Sequence, residues 1–416
     1  MTCTLTTGNP RLRLSRQTAT ATPFLTIILI SMAFTALPMR AQKLNVAYSF
    51  ADSPDGANPF QSPVFRDKAG NLYGTTLQGG ANTAGTIFKL SSDGKETVLY
   101  RFKLDPNGRP PSPESGVIGD DAGNLYGTEA FSGPNGNGSV FKLDPKGKLT
   151  VLHAFTDGFD GAAPFGGLVR DASGNLYGTT NAGGDLRACG NGCGTVFKLD
   201  VNGKFTVLYT FTGSGDGGIP NGSLVLDSAG NLYGTTVGGG SGQGVVFMVS
   251  ATGQEKVLYS FSPTGQTDGF EPVAGLARDS EGNLYGTTYY GGGGKCDDGF
   301  ELGCGVVFKL SKAGAYTVLH SFVGTGADDG GWPTAGLVLS TDGNIYGTAS
   351  GFARFGAGTL FQISKTGAFS VLHTFSGGKD GARPMATMIL DSTGSLYGTT
   401  AGGGSLGFGL VFKLVP

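Results

Sequence analysis

A seven-residue phrase, Gly-Asn-Leu-Tyr-Gly-Thr-Thr, recurs along the chain and constrains the fold more than any other feature. It stands intact at Gly70–Thr76, Gly174–Thr180, Gly230–Thr236 and Gly282–Thr288, and in variant form at Gly123–Glu129, Gly343–Ala349 and Gly394–Thr400. Its tyrosines run from Tyr73 to Tyr397 in six steps, a mean period of about 54 residues. Each period carries four short runs rich in Val, Thr, Tyr and Phe and bounded by Gly, Asp or Asn, which is how strands are written. In the third repeat they are Gly166–Asp171, Asn175–Thr180, Gly194–Leu199 and Thr206–Phe211, here termed a, b, c and d. Asp-x-x-Gly-Asn links a to b as a tight Asx-type turn, and segments such as Asp144–Gly147 link c to d.

Four antiparallel strands at this period predict a β-propeller blade. One blade cannot bury both faces, so blades must stack, and a ring removes the exposed ends. The a, b and c runs each occur seven times. The last c run is Gly409–Leu414, with no d run after it, while a lone d-like run, Leu44–Phe50, leads the chain. The expectation is an all-β, seven-bladed propeller spanning residues 43–416, in which Ala386–Leu414 and Leu44–Phe50 share the closing blade. Gly74 and its equivalents fall in the middle of strand b, where glycine ordinarily weakens a sheet; close approach by the neighbouring blade is the expected reason.

Residues 1–42 read as a secretory leader. Arg11, Arg13 and Arg16 precede an apolar run, Phe24–Leu37, and small Ala41 follows. An uncleaved N-terminal anchor is the alternative. Those 42 residues hold four arginines and no acid, leaving 25 basic against 31 acidic residues in the remainder. That balance argues against a nucleic-acid partner, which needs a basic stripe to neutralise phosphates. No apolar stretch reaches the ~18 residues of a membrane span. Cys189/Cys193 and Cys296/Cys304 form two local pairs in Gly-rich loops, which in an exported chain favours disulfides; zinc would need converging ligands, and no histidine lies near either pair. The chain is therefore expected outside the cytoplasm: secreted, periplasmic or at the cell surface, and monomeric.

The whole unit runs D-x-x-G-N-L-Y-G-T-T, Gly-rich loop, G-T-V-F-K-L, x-G-K-x-T-V-L-Y-x-F, D-G-x-x-P. It resembles the GloVer (Gloeo/Verruco) tandem repeat over the entire chain after the leader, and more distantly the NHL-type propellers. The resemblance implies an exported propeller with strand a innermost and d outermost, often surface-anchored by a C-terminal signal, and implies no defined activity. This chain ends at Pro416 without a sorting helix or basic tail, which counts against anchoring.

Candidate chemistry is sparse. His153, His320 and His373 share one slot of strand d, occupied elsewhere by Tyr48, Tyr100, Tyr209 and Tyr259, so packing explains them better than acid–base catalysis. The D-G-x-x-P loops carry Asp55, Asp160, Asp216, Asp268, Asp329 and Asp380, with Asn107 in the second repeat. They are expected near one mouth of the channel, as Asx turns or, less simply, as a carboxylate ring for a cation. The Gly-rich b–c loops lack the helix N-terminus of a phosphate cradle. No cofactor or metal ligand set is read from the sequence.

A repeating scaffold spends its constant residues on itself, so function is expected where equivalent positions differ. The residue before each D-G-x-x-P proline reads Asn58, Pro110, Ala163, Ile219, Glu271, Trp332 and Arg383 around the ring. Glu271, Trp332, Arg383 and Asn58 form a contiguous polar and aromatic arc. The longest b–c loop, with Tyr289, Tyr290 and Phe300, is expected on the same rim. Such a rim suits a polysaccharide or a cell-envelope protein, held by stacking and directed hydrogen bonds. The leading expectation is a non-catalytic binding or scaffold protein. The alternatives are a purely structural coat protein, and an extracellular propeller enzyme (lyase, lactonase or glycoside hydrolase) using Glu271 or Asp329 as acid/base.

Overall fold

The computed structural model describes residues 43–415, except 106, 132, 134, 263–266, 297–301, 325–326 and 352–355. The leader, residues 1–42, and Phe300 lie outside the described residues. Within them there is no helix. Twenty-eight strands form seven four-stranded antiparallel sheets, the blades of a seven-bladed propeller. Six blades take four consecutive strands, as in blade 3: Val169–Arg170, Leu176–Thr180, Thr195–Leu199 and Phe205–Thr210. The seventh joins Ile389–Leu390, Leu396–Thr400 and Leu410–Val415 to the leading strand Lys43–Ser49. The register runs from Lys43↔Val415 to Ser49↔Leu410, so both chain ends close the ring in one sheet, as the strand count required.

The mid-strand glycine has a different cause from the one expected. Gly74, Gly178 and Gly398 stand directly opposite Phe88, Phe197 and Phe412 of strand c in their own blades. A Cβ at any of the seven equivalents would lie 2.4–2.8 Å from the ζ carbon of that phenylalanine. The ring folds across the strand and takes the space a side chain would occupy; the neighbouring blade is not what excludes it. This is aromatic cover of a strand glycine, which restores the packing the glycine lacks.

The same phenylalanine then welds blades together. Each fully buried strand-c ring meets the aromatic that ends strand d of the preceding blade, edge to face in six junctions such as Phe50–Phe88 and Phe155–Phe197 and tilted in Phe375–Phe412, and the seven junctions span 5.0–5.8 Å between centroids. Such pairs contribute about 0.5–1.5 kcal/mol each beyond area burial. The first threonine of the repeated phrase adds a polar staple. The Thr75 hydroxyl donates to the Pro113 carbonyl of the next blade at 2.5 Å, and Thr235 to Ala274 at 2.8 Å. The tyrosine of the phrase donates its phenol to the aspartate of its own a–b turn, as Tyr73 does to Asp67 at 3.0 Å. Almost every constant position thus has a structural task.

Candidate functional site

Loops b–c and d–a emerge at one end of the axial channel, turns a–b and c–d at the other. At the loop end, the residue before the d–a proline is the hinge between blades. It is left-handed in every blade, with φ between 51° and 61° at Asn58, Ser112, Ala163, Ile219, Glu271, Trp332 and Arg383. Non-glycine residues adopt this region at a cost, so something must hold them there. Two backbone bonds do. Six of the seven donate their N–H to the carbonyl just before strand c of the preceding blade, at 2.8–3.1 Å, as Trp332 does to Cys304. All seven accept, at 3.0–3.2 Å, from the residue just after strand b of their own blade, as Glu271 does from Tyr289. The following proline seats against the glycine that opens the preceding strand c, where a Cβ would approach its Cδ to 2.5–3.0 Å. Because the backbone does the holding, the side chain at this position is left free to vary.

In blade 2 the equivalent residue is Ser112, not Pro110: Ser112 has the left-handed backbone, and its carbonyl accepts from Ala130. The extra prolines of Pro110-Pro111-Ser112-Pro113 hid the register. The rim therefore reads Asn58, Ser112, Ala163, Ile219, Glu271, Trp332, Arg383.

The loop aspartates do not gather at the channel. Each binds the tip of its own outermost strand: His153 to Asp160 at 3.1 Å, Tyr209 to Asp216 at 2.8 Å, Tyr259 to Asp268 at 2.7 Å, His320 to Asp329 at 3.1 Å and His373 to Asp380 at 3.0 Å, with Tyr48 donating to Asp55. The same carboxylates accept from the amide that follows strand d, as Asp216 does from Thr212. They are Asx turns with an aromatic tether. Among the described residues, no group of three or more His, Cys, Asp or Glu is placed to hold a metal. Asn107 takes no such part, its amide serving Asp105 instead. Blade 2 compensates with Glu129, 6% exposed, in the slot that holds threonine in five other blades. Its charge faces Tyr100, the tyrosine deprived of a loop aspartate, and with burial it raises that phenol's pKa.

Part of the proposed rim does assemble. Tyr289 stacks on Trp332 with centroids 5.7 Å apart and planes within 13°, meets Tyr290 edge-on at 4.6 Å, and Tyr290 stacks on Phe270 at 5.3 Å. Trp332 lies against Gly351, where a Cβ would come within 3.1 Å of its ring. Glu271 is half-buried between Phe270 and Pro272, and burial raises its carboxyl pKa. Arg383 is exposed, and Asn58 is half-buried with its Oδ1 lacking a hydrogen-bond partner. These two occupy equivalent positions further round the ring. Phe270 was not anticipated. The signal was present: five of its six equivalents, Ala57, Ala162, Gly218, Gly331 and Ala382, are alanine or glycine, and the sixth is Pro111.

Both cysteine pairs are disulfides, Cys189–Cys193 and Cys296–Cys304. Each packs on a glycine of the outgoing loop of its own blade, Gly213 or Gly324, where a Cβ would meet sulfur at 2.4–2.7 Å. The Cys304 carbonyl is the one that fixes Trp332, so the second bridge anchors the aromatic rim.

A profile of the Gloeobacter/Verrucomicrobia repeat matches residues 33–241, 187–298 and 241–416. No curated protein matches the chain. Solved propellers share its fold at low identity. A Bacteroides uniformis protein, provisionally designated a 6-phosphogluconolactonase, is 17% identical with a TM-score of 0.50, over 79% of this chain and 88% of that one. The extracellular domain of a provisionally designated one-component system from B. thetaiotaomicron is 10% identical with a TM-score of 0.54, over 89% of this chain and 40% of the other. A chain of the mitotic checkpoint complex is 15% identical, TM-score 0.54, over 95% and 99%. At these identities the likeness is one of fold alone.

Proposed function

We propose that this chain, which belongs to the Gloeobacter/Verrucomicrobia repeat family, is an extracytoplasmic binding protein that takes a carbohydrate on its loop-bearing face. The observation that carries the reading is the aromatic group Phe270–Tyr290–Tyr289–Trp332, gathered from two adjacent blades, with Glu271 following Phe270 and its carbonyl accepting from the Tyr289 amide. Stacked rings offer flat apolar surface to the CH faces of a sugar, and a neighbouring carboxyl accepts from its hydroxyls. The two disulfides support an oxidising compartment. Trp332 is the only tryptophan in the chain, so its emission reports on this rim directly. Titration with a panel of neutral and acidic polysaccharides is expected to shift that emission saturably, and Tyr289→Ala is expected to weaken binding about tenfold or more. Saturable binding by calorimetry with unchanged emission overturns the assignment.

One observation favours a catalytic variant of this reading: burial lifts the Glu271 pKa, as a general acid requires. Glu271→Gln separates the two. A binding protein retains affinity and shows no turnover in either form; an enzyme loses turnover by orders of magnitude while retaining affinity.

A further inference from the structure

Two cavities open at the other end of the channel, where the a–b and c–d turns emerge. A neck of only about 50 Å³ separates the two ends, lined by small residues such as Gly167, Gly222, Ser223 and Gly275. Gly222 has no room even for a methyl group, since a Cβ would lie 2.4 Å from the Gly275 nitrogen. Below the neck lies a cavity of about 590 Å³, which shares Pro63, Ser115, Gly167 and Ser223 with it. A second, of about 1060 Å³, joins the first along Ile389, Leu390, Asp391 and Ser392. Together they make a blind funnel of small-molecule dimensions.

The wall comes from the strands a, two residues long in six blades and three (Val117–Gly119) in blade 2. Their first positions, and the middle one in blade 2, present half-buried Phe65, Ile118, Val169, Val225, Val338 and Ile389. Their second positions divide the rim. Blades 4, 6 and 7 carry Leu226, Leu339 and Leu390; blades 1, 3 and 5 carry Arg66, Arg170 and Arg278. Arg66 and Arg170 are exposed, line one groove of about 480 Å³, and have no carboxylate within ion-pair distance among the described residues. Gly119 stands between them, and the Phe65 ring fills the space of its absent side chain, 2.4 Å from where a Cβ would be. Arg278 differs: it lies over the Tyr233 ring at 5.4 Å and is paired with Asp227 at 4.0 Å.

The acids of this rim are already engaged. Asp391 accepts from the amides of Thr393 and Ser395, the Thr393 hydroxyl and the Tyr397 phenol. Asp120 accepts from the amides of Ala122 and Asn124, the Asn124 side chain and the Tyr126 phenol. Asp67 and Asp121, which line the same groove, are taken by Asn71 with Tyr73 and by Lys68, leaving the Arg66 and Arg170 guanidinium groups without a carboxylate partner among the described residues and the groove open to an added negative charge.

We propose that this funnel is a second binding site, for a small amphiphilic anion: an aliphatic body against the Leu339/Leu390 wall and a carboxylate or sulfate head at Arg66 and Arg170. The site is independent of the loop-face reading, because the neck separates them.

Sodium decanoate is the probe and decanol its neutral counterpart, each titrated calorimetrically into the full chain below its aggregation limit. Decanoate is expected to bind saturably at one site per chain, at least tenfold more tightly than decanol, with Trp332 emission unchanged. Arg66→Gln with Arg170→Gln should remove that preference and leave decanol binding intact. Leu390→Glu should abolish both, its fold checked by melting. Equal affinity of the two ligands, failure of either to saturate, or decanoate binding unaffected by the double arginine substitution overturns the proposal.

Discussion

The two ends of the channel are made from the same seven repeats, yet they handle variation differently. At the turn end the side chains are the structure. Tyr73, Asp67 and Asn71 bond one another within a single turn, and that set recurs almost unchanged around the ring. At the loop end the backbone is the structure. Rim residues as unlike as Ala163, Glu271 and Trp332 share one left-handed conformation and one pair of main-chain bonds. A repeat can change freely only where its geometry is enforced by groups that every amino acid carries. That is why diversity collects on the loop face, and why a position can be strained and variable together.

The comparison breaks most severely if the ring is not the unit of stability. Removing residues 43–50 takes away the outer strand of the closing blade, its register with Leu410–Val415 and the Phe50–Phe88 contact between blades 7 and 1. The expected result is loss of the cooperative unfolding transition by circular dichroism and calorimetry. A truncated chain that melts at nearly the same temperature would show that six complete blades suffice.

Next in size is the mid-strand glycine. Gly234→Ala places a methyl group 2.6 Å from the Phe247 ring and 2.9 Å from a Leu224 methyl, deep in the blade. Overpacking of this kind costs about 1–3 kcal/mol. Phe247→Leu alone should also destabilise, by opening a cavity. In combination the two should cost less than their sum, because the smaller side chain vacates the space. Strict additivity in a double-mutant cycle by urea unfolding would refute the cross-strand account.

These results show where sequence suffices. The strand count, the closing blade and both disulfides were legible because each is a property of spacing within one period. The roles of the glycine and of the loop aspartates were not. Gly178 was excluded by Phe197 of its own blade, some nineteen residues later in the chain, and only the register reveals that pairing. The aspartates are spaced correctly for a ring, but each is claimed by a tyrosine or histidine seven or nine residues earlier, which pulls it to the outer edge. Ser112 was lost to a proline-rich insertion that only backbone conformation resolves. The funnel was invisible because its wall is two or three residues per blade, too short a segment to show periodicity.

Acidity probes the seams between these features. Burial pushes Glu96, Glu114 and Glu255 up to about 7, helped by Asp55 beside Glu96 and Asp216 beside Glu255. An unfolded glutamate titrates near ~4.3. Between those values the folded chain holds protons that the unfolded chain has released, so stability is greatest below the unfolded pKa and falls as pH rises through 7. His153 works the other way, since burial lowers its pKa and folding then favours the neutral ring. With Glu271 also raised by burial, four acids stand against one histidine, and the melting temperature should be higher at pH 5 than at pH 8. Glu96→Gln and Glu255→Gln together should flatten the profile; an unchanged slope in that variant would remove these seams as its cause.

The smallest effect tests the free side chain itself. Arg383 is exposed, and its backbone N–H and carbonyl are held by Ala357 and Ala401 whatever the residue. Blade 3 already carries alanine there, as Ala163, with the same φ to within a few degrees. Arg383→Ala should therefore change stability by no more than about 0.5 kcal/mol, the usual range for an exposed site. Arg383→Pro keeps neither the left-handed angle nor the donor, and should cost several times more. If alanine proved as harmful as proline, the guanidinium would be structural, and the division between a backbone-built rim and a side-chain-built floor would fail at the position where it is easiest to see.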